Sequence, residues 1–155
     1  MAYIMNMDKV PYPAPASIVC EADLQRGLIV EIVGNADNNL WVDGADNEAY
    51  KVELAKANSE RGNVLIHTSV PFAYDEKAIE QEYVLKAGEV GRGHYLNVGD
   101  EYTIPADMVS GEIAAGTEVG MVANGKLGTG ATTIIAEVVK VYNWNGQASV
   151  RIRIK

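Results

Sequence analysis

The chain has 155 residues, a formal net charge of −8 and a pI near 4.7, and 48% of its residues are hydrophobic. That length supports one domain with its own core without disulfides, and the single cysteine, Cys20, excludes an intrachain bridge and a cysteine-rich metal site. An acidic surface repels phosphate backbones, which argues against nucleic acid as a partner, and no apolar run reaches the roughly 18 residues of a membrane-spanning helix.

Residues 1–17 read as an extended N-terminal arm. Pro11, Pro13 and Pro15 alternate, and each fixes φ near −65° and removes a backbone donor, so the segment is held close to polyproline II. Tyr3, Ile4, Met5, Met7, Val10 and Tyr12 make the arm more apolar than a solvated tail requires. That points to packing on its own domain or on a partner. The arm lacks the cationic start and apolar run of a signal peptide, so the chain is expected to be made and used in a cytoplasm, or to leave a cell by a route other than secretion.

Residues 18–155 read as a single all-β domain, a small β-barrel or β-sandwich of short antiparallel strands. Arg26-Gly27 is a turn, and Leu28 to Val33 a β-branched strand. Leu40-Trp41-Val42 is a further strand, closed by the hairpin signal Asp43-Gly44. Tyr50, Val52 and Leu54 alternate as in a strand, and Tyr50, Leu54 and Ala57 fit one helix face equally well; a strand running into a loop at Ala55 to Gly62 is the reading taken. Val64 to Thr68 is another strand, ended by Pro71. Phe72 to Glu80 reads as a loop with one helical turn.

From Tyr83 to Gly130 glycines fall at 88, 91, 93, 99, 111, 116, 120, 125, 128 and 130. They separate apolar pieces such as Tyr83-Val84-Leu85, Tyr95-Leu96, Tyr102-Thr103-Ile104 and Val119 to Val122, each too short for an ordinary helix. Thr132 to Tyr142 is a long strand, Asn143 to Gly146 a turn, and Gln147 to Lys155 its returning partner. Arg151, Arg153 and Lys155 alternate with Val150, Ile152 and Ile154, the pattern of a strand with one wet face.

Few residues are arranged for chemistry. Gly120 to Lys126 matches G-x-x-x-x-G-K, but Leu127 stands where a phosphate-binding loop needs a hydroxyl, and Asn124-Gly125 reads better as a two-residue hairpin turn. The acidic loop between Asp37 and Glu48 misses the EF-hand spacing. His67 and His94 have no further ligands at metal-site spacing and read as structural. Cys20 reads as a core thiol. Asp100, Glu101, Asp107, Glu112 and Glu118 leave open a carboxylate pair for glycosidic chemistry, although acidic residues near turns are usually just solvated. The chain therefore reads as a binding or structural protein rather than an enzyme, with no cofactor and no metal.

One stretch carries a likeness. Tyr74-Asp75-Glu76, Tyr83 to Glu89, Arg92, and Leu96-Asn97-Val98-Gly99-Asp100-Glu101-Tyr102-Thr103-Ile104 resemble the capsid decoration proteins of tailed bacteriophages, also called cement or head-stabilising proteins. Gly111-Glu112-Ile113, Gly116 to Val119 and Ile135 to Val139 continue it, so that it spans roughly Val64 to Lys155. The resemblance implies a small β protein, made in the host cytoplasm, that binds the outer surface of an assembled head at joints between copies of the major capsid protein. It implies self-association, with a trimer favoured and a monomer as the alternative, and it brings no catalytic residues.

On that reading Tyr3, Ile4, Met5, Val10 and Tyr12 are candidate capsid-binding anchors of the arm. Trp144, at the tip of the last hairpin, is a candidate interface residue. The competing reading is a carbohydrate-binding module of a head fibre or tail component, in which Trp41, Trp144 and exposed tyrosines stack on sugar rings.

Overall fold

The computed structural model describes residues 6–11, 13–35, 49–69, 84–144 and 146–155. The expected strand at Leu40–Val42, the Asp43-Gly44 turn and the Phe72–Glu80 turn lie outside them.

The fold is all-β, as expected, and it is organised around a barrel and a sheet. The barrel strands are β2 (Pro15–Cys20), β4 (Ile29–Asn35), β5 (Ala49–Leu54), β6 (Val64–His67) and β8 (Val90–Tyr95). They pair in the closed order β2-β5-β4-β6-β8, with β8 returning to β2. A two-stranded ribbon of β3 (Leu24–Gln25) and β7 (Val84–Leu85) accompanies the barrel. Leu24 and Leu85 from this ribbon join Ile18, Cys20, Val30, Val52 and Leu65 in one buried cluster.

The second layer is a seven-stranded sheet. Its strands are β1 (Asn6–Lys9), β9 (Glu101–Pro105), β10 (Val109–Ser110), β11 (Glu118–Met121), β12 (Leu127–Gly128), β13 (Ile134–Trp144) and β14 (Gln147–Ile154). Their spatial order is β1-β9-β14-β13-β11-β12-β10. The long C-terminal hairpin anticipated from the sequence is β13–β14, and it lies in the middle of this sheet. Tyr102, Ile104, Val150, Ile152, Ile154, Ala136, Val138, Val119 and Met121 form the sheet's contribution to the larger core.

The barrel supplies the other side of that core. Along β4 and β6 successive side chains point to opposite faces. Val30 and Leu65 belong to the barrel cluster, whereas Ile29, Val64 and Ile66 pack against the sheet. The β4–β6 wall is therefore apolar on both faces, and this explains the unbroken Leu28-Ile29-Val30 and Val64-Leu65-Ile66 runs.

Three details depart from the expected pattern. Two strand pairs are parallel, β2–β5 and β10–β12, among otherwise antiparallel pairs. Residues 15–17 of the expected arm are the first half of β2, paired with His94, Gly93 and Arg92, so the barrel begins inside the proline-rich segment. β8 runs through Gly91 and Gly93, where glycine made a strand hard to foresee. A Cβ on Gly91 would lie 2.3 Å from Leu85 Cδ2 and 2.6 Å from Ser69 Oγ, so the glycine admits a close approach of neighbouring side chains.

Asn124-Gly125 lies in a turn between β11 and β12, with positive φ of 62° and 71°, but the connection is not the expected two-residue hairpin: the Val122 amide donates to the Lys126 carbonyl across a three-residue 3-10 turn, Ala123–Gly125.

Gly120 sits at the irregularity between β11 and β13, where an added Cβ would fall 1.9 Å from the Thr133 carbonyl oxygen. Backbone cannot rotate away, so Gly120→Ala is expected to cost about 1–3 kcal/mol in urea denaturation. Gly62→Ala, with open space around it, is expected to stay within about 0.5 kcal/mol.

Candidate interaction surface

The face of the seven-stranded sheet turned away from the core carries a polar cluster that fixes the N-terminal strand. β1 pairs antiparallel with β9, Asn6 opposite Thr103 and Lys9 opposite Glu101, with a slip between Met7 and Lys9. The Thr103 hydroxyl donates to Asp8 Oδ2 at 2.5 Å. A hydroxyl has one proton, so the 2.7 Å contact between Thr103 Oγ1 and Tyr142 Oη is donated by the tyrosine. Arg151 Nε donates to Glu101 Oε1 at 2.9 Å and lies 3.8 Å from Asp8 Oδ2. Lys9 Nζ stands 3.7 Å from Glu101 Oε2.

Four strands, β1, β9, β14 and β13, are thus tied by side chains across one surface. Thr103 and Ser149 are fully buried beneath it. The alternation of Arg151 with Val150 and Ile152 gave the wet face from sequence. The partner Asp8 is far away along the chain, and no local pattern signals it.

Of the expected anchors, Val10 is partly buried and packs against the larger core. Tyr3, Ile4, Met5 and Tyr12 lie outside the described residues, as does Trp41. Trp144 ends β13 opposite Gln147 and is partly exposed. By strand alternation it shares a face with Tyr142 and Lys140, and the Lys140 ammonium sits 4.7 Å from the centre of the Tyr142 ring. Val139 and Val141, 40% and 49% exposed, flank this lysine. Val139 is the extra residue of a bulge between Val138 and Lys140.

Both histidines are buried at one end of the barrel. His67 Nδ1 is 2.8 Å from the Gln25 carbonyl oxygen, which can only accept, so Nδ1 carries the proton. His67 Nε2 then accepts from Ser69 Oγ at 2.8 Å, and Ser69 Oγ in turn accepts the Arg92 amide. Burial holds the His67 imidazole down at about 4. His94, paired with Ile66 and so on the opposite face of the barrel wall, has Nδ1 2.6 Å from Thr68 Oγ1. Burial, helped by Arg92, lowers its pKa as well. Burial raises the Asp100 carboxyl, although the Asn97 backbone and the Tyr102 hydroxyl favour its charged form. Among the described residues no group of three or more His, Cys, Asp or Glu side chains is placed to hold a metal.

No protein-family model matches the sequence, and no curated protein matches it. Among solved structures the chain is similar to the head fiber gp8.5 N base of bacteriophage phi29. The TM-score is 0.50 at 10% identity, and the match covers 93% of this chain and 95% of that one. At this identity the likeness is one of fold.

Two measurements probe the clusters. Thr103→Val removes the donor to Asp8 and the acceptor for Tyr142. It is expected to cost about 1–3 kcal/mol and to speed amide exchange at residues 7–9. For pH, an unfolded His67 binds its proton near 6.5 and the folded one only near 4. The unfolded state therefore holds more protons between those values, and stability falls as pH drops through this window. The slope due to His67 approaches about 1.4 kcal/mol per pH unit. His94 adds to the loss, and Asp100 opposes it. Thermal melts between pH 7 and pH 4 check this, with His67→Gln flattening the dependence.

Proposed function

We propose that this chain is a structural protein of a bacteriophage head, bound to the outer surface of the assembled capsid as a decoration protein. The observation that carries the reading is the fold likeness, over nearly the full length of both chains, to the base of a phage head fibre. The strand and turn pattern from Val64 to Lys155, which resembles capsid decoration proteins, supports the same assignment from the sequence side.

The proposed role is mechanical and uses no cofactor. Copies seated at joints between major capsid protein subunits bridge them, and association of the copies, as a trimer, makes the binding multivalent. Linked sites raise avidity over single-site affinity by about 10²–10⁴-fold without stronger individual contacts. The arm and the β13–β14 tip, with Val10, Lys140 and Trp144, are the proposed contacts. The net charge of −8 keeps such a protein soluble before it docks.

A second reading is that the chain is a carbohydrate-binding module of a head fibre or tail component, in which Trp144 and exposed tyrosines of this chain stack on sugar rings. The two readings differ in where binding energy resides.

Co-sedimentation with mature, undecorated heads tests the proposal. Saturable binding at a fixed ratio of copies to capsid subunits is expected. No binding at micromolar protein overturns it, and glycan binding in its place would establish the second reading. Deletion of residues 2–9 is expected to weaken head binding at least tenfold with the β fold retained by circular dichroism. A longer deletion, through residue 16, would remove barrel backbone from β2 and is not an equivalent test.

A further inference from the structure

The receiving and the donating sides of the β1–β9 pair are built unequally. On β9, Tyr102, Thr103 and Ile104 are fully buried. On β1, Met7 is 45% exposed, the Lys9 side chain is 68% exposed, and no β1 residue belongs to a buried core cluster. The strand has four residues and a register slip. Besides the backbone ladder to β9, it is held by the Asp8–Thr103 hydrogen bond and by ion pairs to Arg151 and Glu101. The β9 edge thus requires a cover, while its cover is attached by reversible polar contacts.

What connects β1 to the rest of the chain is equally specific. Pro11 and Pro13 are exposed, and with Pro15 they hold the linker extended. Val10 packs against the larger core at one end of the linker, and at the other the Ala14 carbonyl accepts the Tyr95 amide. From Val10 to Ala14 the chain reaches about 12 Å at the polyproline rise of roughly 3.1 Å per residue. A terminal strand on a stiff, extended hinge is the arrangement in which an element passes between identical copies at little cost, because every contact is regained on the neighbour.

We propose that β1 is an exchange strand: in the self-associated protein, residues 6–9 of one copy pair with β9 of a second copy, Asp8 reaching that copy's Thr103 and Arg151. The occupant of the β9 edge is then the same sequence in either state. The hinge length restricts exchange to copies whose β9 edges lie within its reach, which makes the link a property of a compact oligomer. The idea deepens the multivalent role proposed above but needs no capsid, so its test is independent of head binding.

The test uses the full chain in two single variants, Lys9→Cys and Glu101→Cys, at positions that face each other in the β1–β9 register. Cys20 is buried and stays out of reach of a mild oxidant. Each variant is first checked for the β fold by circular dichroism. Equal amounts are then mixed at high concentration, oxidised and run on a non-reducing gel. Exchange predicts a covalent dimer that requires both variants and exceeds either variant alone by more than about fivefold. The double variant, at the same concentration, should then divide between intrachain and interchain bridges. If the mixture yields no dimer above the single variants while the double variant closes fully within one chain, β1 stays on its own copy and the proposal is overturned.

Discussion

The β4–β6 wall is the constraint on which the molecule depends. Ile29, Val64 and Ile66 on one side and Val30 and Leu65 on the other leave no face of this wall for water. The barrel needs it as two of its five staves, and the seven-stranded sheet needs it as the floor of its core. Burying a Val, Leu or Ile side chain contributes about 1.5–3 kcal/mol, so a wall used twice makes the two layers interdependent. The barrel keeps its own small cluster inside, but the sheet has no complete core without this wall.

Polar groups follow from that geometry. Where the wall ends at His67, the chain must close the barrel end and also meet the sheet. It does so with two histidine pairs on opposite faces, His67 with Ser69 and His94 with Thr68. These groups are satisfied within the fold, as buried polar atoms must be. On the far face of the sheet the apolar requirement is absent. There Asp8, Thr103, Tyr142, Arg151 and Glu101 hold strands together through directed bonds.

Much of this was legible in the sequence. Alternation and β-branched runs marked β4, β5, β6, β9 and the β13–β14 hairpin, and Asn124-Gly125 marked a turn, although one that takes three residues instead of two. β8 was obscured because Gly91 and Gly93 carry no strand propensity, and their value lies in the side chains they let approach. The parallel β2–β5 pair and the Asp8–Thr103–Arg151 cluster arise from residues distant along the chain, which no window of neighbouring residues reveals. The proline-rich segment read as an arm, while its last three residues, 15–17, are barrel backbone, since proline is compatible with the start of a strand.

The placement of the β13–β14 hairpin has a consequence for biosynthesis. These strands follow every other in the chain, yet β14 lies between β9 and β13 in the middle of the sheet. As the polypeptide emerges from the ribosome, all barrel staves are available first, and the outer side of the β4–β6 wall is left bare. β9 and β11 have nothing to join them until the hairpin arrives. At a synthesis rate of about 5–20 residues per second, a nascent chain therefore spends seconds with an uncovered greasy surface. It becomes a finished, water-compatible particle only when Ile152 and Ile154 slide into place.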